Sequence, residues 1–268
     1  MTVIVIVGGP GSPGMTTTAL GLTLRWPRHA LLADCDRDPA QVIPAGYLRG
    51  LDLSGRGLAS LARLHREARE LGPDLLAQTV PLAQNPDVSR RFLPGFAQPG
   101  AVRLFDHIWP ELADAFIGLE TAGIDVIVDA GRLGHEGLPP ALLEAADLIG
   151  FVLRSDLKSL AASRLYLPLL AEQVHALPTD KPFGLLLIGP NRPYSPREIA
   201  TQFGVSCWSQ LPWDPEGAAV WSHGNPEPKR FHSSPLVSAF RLTAQRLAAR
   251  IESGRGLRQE LAKEPFHD

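Results

Sequence analysis

The chain opens with an uninterrupted apolar run over residues 3–7, followed at once by a glycine-rich segment over residues 8–14 and a helix-forming stretch over residues 16–26. A strand with no polar face has to be buried on both sides, as the central strands of a parallel sheet are. The succession of apolar run, turn and helix recurs as far as about residue 210. These features predict an α/β fold with a three-layer, doubly wound and mostly parallel sheet.

The remaining elements follow from the same patterns. Further core strands are predicted at residues 30–33, 126–128, 148–153 and 184–188, and two extra short strands at 78–82 and 91–93. Helices are predicted at residues 58–70, 104–121, 141–146, 157–176 and 196–203, with breaks or kinks at Pro110 and Pro168, and a last helix begins at Pro235 and ends at Gly254. We expect a single domain over residues 1–252 and a polar C-terminal tail over residues 253–268.

Composition argues against several classes of protein. The formal net charge of −2 argues against a surface that is basic overall, as a nucleic-acid-binding protein would have. The sequence contains no apolar run near the roughly 18 residues that a transmembrane helix needs, and its N-terminus lacks the features of a signal peptide. Two cysteines make neither a disulfide framework nor a metal cluster. We therefore expect a cytoplasmic protein that does not insert into a membrane itself.

The glycine-rich segment has the pattern of a phosphate-binding loop with one departure. Such a loop is written G-x-x-x-x-G-K-[ST], and its glycines let backbone N–H groups converge on phosphates at the N-terminus of a helix. Gly9, Gly14 and Thr16 match this pattern, whereas Met15 stands in place of the lysine. A tight turn without any ligand gives a similar sequence.

Carboxylates follow two of the predicted strands. Asp34 and Asp36 come after the second strand, and Asp129 comes after the run that ends at Val128. Ligands of open α/β sheets bind beyond the carboxyl ends of the strands. These three side chains are therefore expected to lie beside the glycine-rich loop.

Together these segments resemble the ParA/MinD family of P-loop ATPases with a deviant Walker A loop. Residues 6–19 align without a gap with that loop, residues 34–36 resemble its switch I motif, and Asp129 resembles its Walker B or switch II aspartate. The similarity continues through residues 145–147, 184–192, 211–214 and 234–236 and so covers nearly the whole chain. Within the family, the TadZ and CpaE proteins of Tad-pilus localisation are similar in having atypical loops.

The resemblance implies a set of roles. ATP or ADP with Mg²⁺ is the implied cofactor, and Asp36 would orient the attacking water in an active enzyme. Thr16, Asp36 and Asp129 would hold the metal directly or through water. The implied nucleotide-binding residues are Gly9, Pro10, Gly11, Ser12, Pro13, Gly14, Met15, Thr16, Thr17, Asn191, Arg192, Pro212 and Asp214.

The departures from the family weaken this site. Met15 and Pro10 replace the two lysines that contact phosphate in the family, and the first lysine of the chain is Lys158. Losing a charge-assisted contact costs about 2 to 5 kcal/mol, so both binding and hydrolysis of ATP should be weak or lost. Pro10 and Pro13 also lack the N–H groups that would grip phosphate. Arg37 and Arg132 could substitute for the lysines, or they are solvated surface arginines.

Three functions fit these observations. The first is a ParA/MinD-like organiser that positions or partitions a cellular assembly, such as a chromosome, a plasmid, the septum site or a pilus or secretion machine. It would act through a protein partner, as a monomer or homodimer, and a partner would recruit it to membrane or nucleoid. The second is an active ATPase with a substitute arginine. The third is a nucleotide-independent scaffold or a DNA-binding module, for which arginines between residues 241 and 258 would supply nonspecific DNA contacts.

Two other groups of residues suggest chemistry less strongly. His135 and Glu136 have no further ligand-type residues at metal-binding spacing and are interpreted as part of a solvated loop. Cys35 lies between two aspartates, which raise a thiol pKa, and is interpreted as a packing residue.

Overall fold

The computed structural model describes residues 2–11, 14–53, 55–83 and 87–261, with side chains described as far as Arg255. Within these ranges the strands are β1 (Val3–Gly8), β2 (His29–Asp34), β3 (Val80–Ala83), β4 (Arg90–Leu93), β5 (Ile124–Arg132), β6 (Leu148–Arg154), β7 (Phe183–Ile188) and β8 (Cys207–Leu211). The α-helices are α1 (Met15–Arg25), α2 (Leu58–Arg66), α3 (Leu71–Leu75), α4 (Trp109–Gly118), α5 (Pro140–Ala145), α6 (Leu157–His175), α7 (Pro196–Phe203), α8 (Pro215–Ser222) and α9 (Pro235–Leu261).

The strands form one sheet in the order β3-β4-β2-β5-β1-β6-β7-β8. Every neighbouring pair is parallel except β3 with β4, which is antiparallel. The apolar strand β1 lies in the middle, where Val5 pairs with Val128 on one side and with Ile149 on the other. The predicted doubly wound, mostly parallel sheet is confirmed.

Helices cover both faces of the sheet, which gives the three layers. One core joins the sheet to α2 through α7 and contains the mutually edge-on rings of Phe96, Phe105 and Trp109. The other core joins the sheet to α1, α8 and α9. Because β1 is apolar on both faces, its side chains contribute alternately to the two cores. Met15, the first residue of α1, lies against Gly8 at the carboxyl end of β1.

Several boundaries differ from the predicted ones. The strand β8 was not predicted, because the sequence Cys-Trp-Ser-Gln-Leu lacks a continuous apolar run. The predicted helix over residues 58–70 ends at Arg66, and α3 follows as a separate short helix after Ala68, which has a left-handed conformation. Pro110 lies in the first turn of α4 and begins the helix instead of kinking it. Pro168 lies inside α6, which continues to His175.

The last helix is longer than predicted. It does not end at Gly254 but runs to Leu261, so the first part of the predicted tail is helical. Arg255 donates to both carboxylate oxygens of Asp147 at 2.8 Å, and the same carboxylate accepts from the backbone N–H of Val3. This contact fixes the helix beyond the predicted boundary. Residues 262–268 of that tail lie outside the described residues.

Among the described helices, none has both the length and the apolar character needed to cross a bilayer.

Candidate nucleotide site

The glycine-rich loop joins the middle of the sheet to α1. Gly14 precedes the helix with a φ of 102°, a conformation that favours glycine. Its carbonyl oxygen accepts hydrogen bonds from the backbone N–H of Thr18 at 2.8 Å and from the Thr18 hydroxyl at 2.7 Å. The first turn of α1 therefore begins at the position that the loop pattern predicts. Ser12 and Pro13, two of the predicted nucleotide-binding residues, lie outside the described residues.

Three carboxylates meet beside this turn. Asp34 at the end of β2 pairs in register with Asp129 of β5. The carboxylate of Asp36 lies over the backbone of Gly131, so closely that a Cβ at Gly131 would be 1.9 Å from the Asp36 Oδ1 atom. A residue with a side chain at position 131 would therefore displace the Asp36 carboxylate. The sheet register and this glycine bring together the acidic residues that the sequence predicted for the site.

Backbone groups hold each carboxylate in place. Asp36 N–H donates to Asp34 Oδ1 at 3.2 Å, Gly131 N–H donates to Asp129 Oδ1 at 3.1 Å, and Asp38 N–H donates to Asp36 Oδ1 at 2.9 Å. Asp129 is only 1% exposed, and its Oδ2 atom has no hydrogen-bond partner within the described part of the chain. A buried carboxylate oxygen without a partner is costly unless a cation satisfies it.

Burial and mutual repulsion shift the titration of the cluster. Burial raises the pKa of Asp129 well above its usual range, and the neighbouring Asp34 and Asp36 raise it further, against the lowering effects of Gly131 N–H and the Thr16 side chain. Burial also raises the pKa of Asp34 to about 7. Burial raises the pKa of Asp36, while the nearby Arg132 and Arg37 lower it. Three carboxylates that all resist ionisation form a site that a positive charge would stabilise.

These residues fit a magnesium ion. Mg²⁺ is usually held by one or two carboxylates, waters and substrate phosphates. Thr16 faces Asp129, whose unpartnered oxygen is the kind of donor that a hard cation needs. In the described ranges, no three His, Cys, Asp or Glu side chains converge tightly enough to hold a metal by themselves. The residues present therefore suit a cation that shares its ligands with a phosphate.

A cavity of about 400 Å³ opens directly from this cluster. Of the predicted nucleotide-binding and metal-binding residues, those that line it are Gly14, Met15, Thr16, Thr17, Asp36, Pro212 and Asp214. Apolar side chains of β7, β8 and α9 also line it, among them Ile188, Leu211 and Phe240. The cavity lining thus combines hydroxyl and carboxylate groups with an apolar wall.

Other predicted residues lie outside the cavity wall. Gly9, Pro10 and Gly11 are not among the lining residues, and the backbone N–H of Asn191 donates to the carbonyl oxygen of Tyr194 within a turn. Arg192 lines an adjoining cleft with Arg154 and Ser155. The ring of Trp213 borders both this cleft and the cavity.

Trp213 lies within the stretch from Pro212 to Asp214 that the family resemblance implies for the base of the nucleotide. It is 38% exposed, although tryptophan is mostly buried in proteins, and the Arg154 guanidinium lies 4.0 Å from its ring centroid. The Arg192 guanidinium lies 5.8 Å from the same ring. An exposed aromatic ring at the mouth of a cavity suits the stacking of a planar group.

Met15 occupies the place of the loop lysine without replacing its charge. It is 5% exposed and belongs to the core between the sheet and α1, α8 and α9, together with Ile6, Val152 and Leu186. A Cβ at Gly8 would lie 3.3 Å from its Cβ and Cγ atoms. Methionine therefore extends the apolar core to the base of the loop.

The two candidate substitute arginines have different surroundings. Arg37 donates to Glu136 at 3.3 Å and to the carbonyl oxygen of Gly137, which directs it away from the loop. Arg132 is exposed and lines the cavity beside Asp36. Of the two, only Arg132 is therefore placed to meet a ligand in the cavity.

His135 and Cys35 have the surroundings that were expected of a solvated loop and of a packing residue. His135 is 91% exposed and lies 3.9 Å from Glu136, as expected in a solvated loop. Cys35 is buried, and burial raises the pKa of its thiol, with further increases from Asp34, Asp129 and Asp36. It is thus an unreactive packing residue.

No protein-family model matches this sequence, and neither does any curated protein sequence. Solved structures do match it. A ParA family ATPase from Chlorobium tepidum superposes with a TM-score of 0.69 at 16% identity, over 91% of this chain and 98% of its own. The septum site-determining protein MinD from Pyrococcus horikoshii, in complex with Mg-ADP, superposes with a TM-score of 0.65 at 19% identity, over 92% and 95% of the two chains.

The MinC:MinD cell division protein complex of Aquifex aeolicus gives a third match, with a TM-score of 0.67 at 16% identity over 93% of this chain and 96% of the matched one. At such identities the similarity concerns the fold. It extends along more than nine-tenths of this chain and over nearly all of each matched chain. The fold predicted from the loop and the aspartates is confirmed, and the chain has the α/β fold of the ParA and MinD P-loop ATPases.

Proposed function

We propose that this protein binds an adenine nucleotide with Mg²⁺ in the cavity beside α1 and acts as a ParA/MinD-like organiser of a cellular assembly. The observation that carries the proposal is the cavity itself. It brings together the hydroxyls of Thr16 and Thr17, the Asp36 carboxylate and an apolar wall. A molecule with a charged chain of phosphates and a flat apolar base has the same combination of properties.

Each part of the ligand would have its own set of residues. Thr16, Asp36 and Asp129 would hold the cation, which when bound would neutralise phosphate charge. The N-terminal turn of α1, with Gly14 and Thr17, would hold phosphate through backbone N–H groups and the helix dipole. The base would lie against Pro212, Trp213 and Asp214. The MinD protein with Mg-ADP from Pyrococcus horikoshii supports this choice of ligand.

The same site should bind and hydrolyse ATP weakly. Met15 is packed into the core and carries no charge, and Pro10 offers neither a charge nor an N–H group. Catalysis of phosphoryl transfer depends on positioning and charge neutralisation, so hydrolysis suffers more than binding. Asp36 remains the residue that would orient the attacking water. The protein would thus keep the fold of a nucleotide-dependent switch, while its nucleotide site is degenerate.

In the cell, such a protein would work through a protein partner. The MinC:MinD complex of Aquifex aeolicus supports a partner of this kind, and the ParA-type neighbours support a role in partitioning or positioning. Within the family, we propose that it belongs with the Tad-pilus proteins TadZ and CpaE. We also propose that it forms a homodimer and contacts DNA nonspecifically. The protein would be cytoplasmic, with recruitment to membrane or nucleoid by its partner. A fluorescent fusion at the native locus tests this, because uniform fluorescence with and without the partner genes would contradict it.

Thermal denaturation tests nucleotide binding. We expect ATP and ADP at millimolar concentration with Mg²⁺ to raise the melting temperature by a few degrees, since a ligand that binds only the folded state stabilises it by mass action. Thr16→Ala and Asp129→Ala should abolish the rise, and Thr121→Ala, an exposed threonine remote from the cavity lining, should keep it. A melting temperature that no nucleotide changes would favour a nucleotide-independent scaffold. In that case, salt-dependent retention on DNA would favour a DNA-binding module.

The position of Arg132 favours a second candidate function, an active ATPase with a substitute arginine. Its guanidinium lies at the cavity close enough to Asp36 to lower the pKa of that carboxyl. This candidate predicts Mg²⁺-dependent phosphate release that Arg132→Gln and Asp36→Ala both abolish, while Arg37→Gln leaves it unchanged. If the wild-type protein releases no phosphate, this candidate is excluded.

A further inference from the structure

Lys158 lies against the glycine-rich loop although it is far from the loop in the sequence. It is the second residue of α6, a helix of 19 residues whose N-cap Asp156 accepts from the N–H of Ser159. A Cβ built on Gly11 would lie 3.8 Å from Lys158 Cε. Because Gly11 has no side chain, the end of the lysine stem lies beside the loop backbone at this residue.

Two contacts hold α6 in this position. The Ser159 hydroxyl donates to the carbonyl oxygen of Gly11 at 3.3 Å. One turn further along, the Ser163 hydroxyl lies 3.1 Å from the place of a Cβ on Gly9. Ser163 is fully buried, and its oxygen has no hydrogen-bond partner among the residues that the structure describes. The helix is therefore packed on the first half of the loop, and the position of Lys158 is set by this packing.

The ammonium group of Lys158 is available for a ligand. The side chain is exposed, and within the described ranges it makes no ion pair. The nearest carboxylate along the chain, that of Asp156, is paired with Arg154 at 3.0 Å. A flexible lysine stem can turn its charge toward an anion within several ångströms. The loop next to it has lost both of its own cations, at Pro10 and Met15.

We infer that Lys158 provides from α6 the positive charge for phosphate that the glycine-rich loop lacks. The inference rests on the proposed nucleotide function and adds a phosphate-binding residue from a different element. The side of the loop formed by Gly14, Thr16 and Thr17 faces the cavity, where the base and the first phosphates would lie. Gly9 and Gly11 precede these residues and are not in the cavity lining, and Lys158 beside Gly11 would then meet the phosphate farthest from the base. It therefore favours a triphosphate over a diphosphate.

Calorimetric titration with ATP and with ADP, each with Mg²⁺, tests this inference. Lys158→Gln should weaken ATP binding about tenfold and ADP binding by less than about twofold, the loss of one charge-assisted contact to the terminal phosphate. Lys158→Arg should keep the affinity for ATP. The matched control is Arg164→Gln, which removes a positive charge from another exposed position of α6. Circular dichroism of each variant establishes that it is folded.

The outcomes separate the inference from the function on which it rests. If the wild-type protein binds neither nucleotide, both the function and the inference fail. If the wild-type protein binds ATP and Lys158→Gln binds it equally well, only the inference fails. Equal weakening of ATP and ADP, or equal weakening by Arg164→Gln, would overturn the assignment of Lys158 to the terminal phosphate.

Discussion

The hydroxyl of Ser159 donates a hydrogen bond to the carbonyl oxygen of Gly11, over 3.3 Å and across 148 positions of the sequence. Through this contact α6 holds the first half of the glycine-rich loop, while α1 holds the second half. Ser159 is fully buried and its backbone N–H is already used by the cap of α6. The loop is thus fixed from two helices that belong to opposite faces of the sheet.

Ser159→Ala should lower the free energy of unfolding by about 1 kcal/mol, the net contribution of one hydrogen bond, because the Gly11 carbonyl loses its partner. Urea denaturation measures this change. Ser238→Ala is a suitable control, since Ser238 lies on α9 away from the loop. If the two variants unfold at the same urea concentration, the contact contributes nothing to the loop.

Gly14→Ala should damage the site more than the fold. The φ of 102° strains any residue with a Cβ, and the new methyl group would lie 3.0 Å from Ile188 Cδ1. We expect a loss of about 1 to 3 kcal/mol in stability and the loss of nucleotide binding, because the first turn of α1 has to shift. Gly72→Ala is the matched control, because a Cβ there meets no atom within 4 Å and α3 is helical. It should leave stability unchanged or slightly higher.

Met15→Lys should strengthen nucleotide binding at a cost in stability. A lysine there would restore the loop pattern and reach the phosphates, for a gain of at least about tenfold in ATP affinity. Without a ligand the variant should be less stable by about 1 to 3 kcal/mol, because the amine takes the place of a buried thioether. Calorimetry and urea denaturation measure the two effects. Met15→Leu, which keeps the packing and adds no charge, should bind ATP as the wild-type protein does.

Asp34→Asn should stabilise the metal-free protein at about pH 8, where the wild-type carboxyl is ionised in both the folded and unfolded states. Burial raises the pKa of Asp34 to about 7 in the fold, against about 4 in the unfolded chain. The stability that its proton provides is complete below about pH 4 and is lost as the pH rises to about 7. The variant lacks this loss. Its free energy of unfolding should therefore exceed that of the wild type by about 2 kcal/mol at pH 8 and by less at pH 5. Urea denaturation with EDTA measures both; equal stabilities at pH 8 would contradict the argument.

Most of the sheet and the acidic residues of the site could be predicted from the sequence, for a physical reason. A central parallel strand has to be apolar on both faces, and ligands bind where such strands end, so β1, Asp34 and Asp129 follow from local patterns. Strand β8 lies at the edge of the sheet and alternates only partly, so its five residues show no clear pattern. This strand was therefore not predicted.

The direction of long side chains was not predictable in the same way. Arg37 and Arg132 each follow a predicted aspartate, yet Glu136 and the Gly137 carbonyl draw Arg37 away from the cavity. Lys158 approaches Gly11 only because α6 packs on the loop, a contact between residues distant in the sequence. Such placements depend on tertiary packing and not on local pattern.

In the proposed function, the degenerate loop still forms a nucleotide site. Isothermal titration of the wild-type protein with ATP, with and without Mg²⁺, tests it most directly. We expect weak, saturable binding of one ATP per chain that requires Mg²⁺ and disappears in Thr16→Ala, because Thr16 faces Asp129, whose Oδ2 atom has no partner among the described residues. Absence of any heat of binding at millimolar ATP would contradict the account and would leave the cavity without a nucleotide.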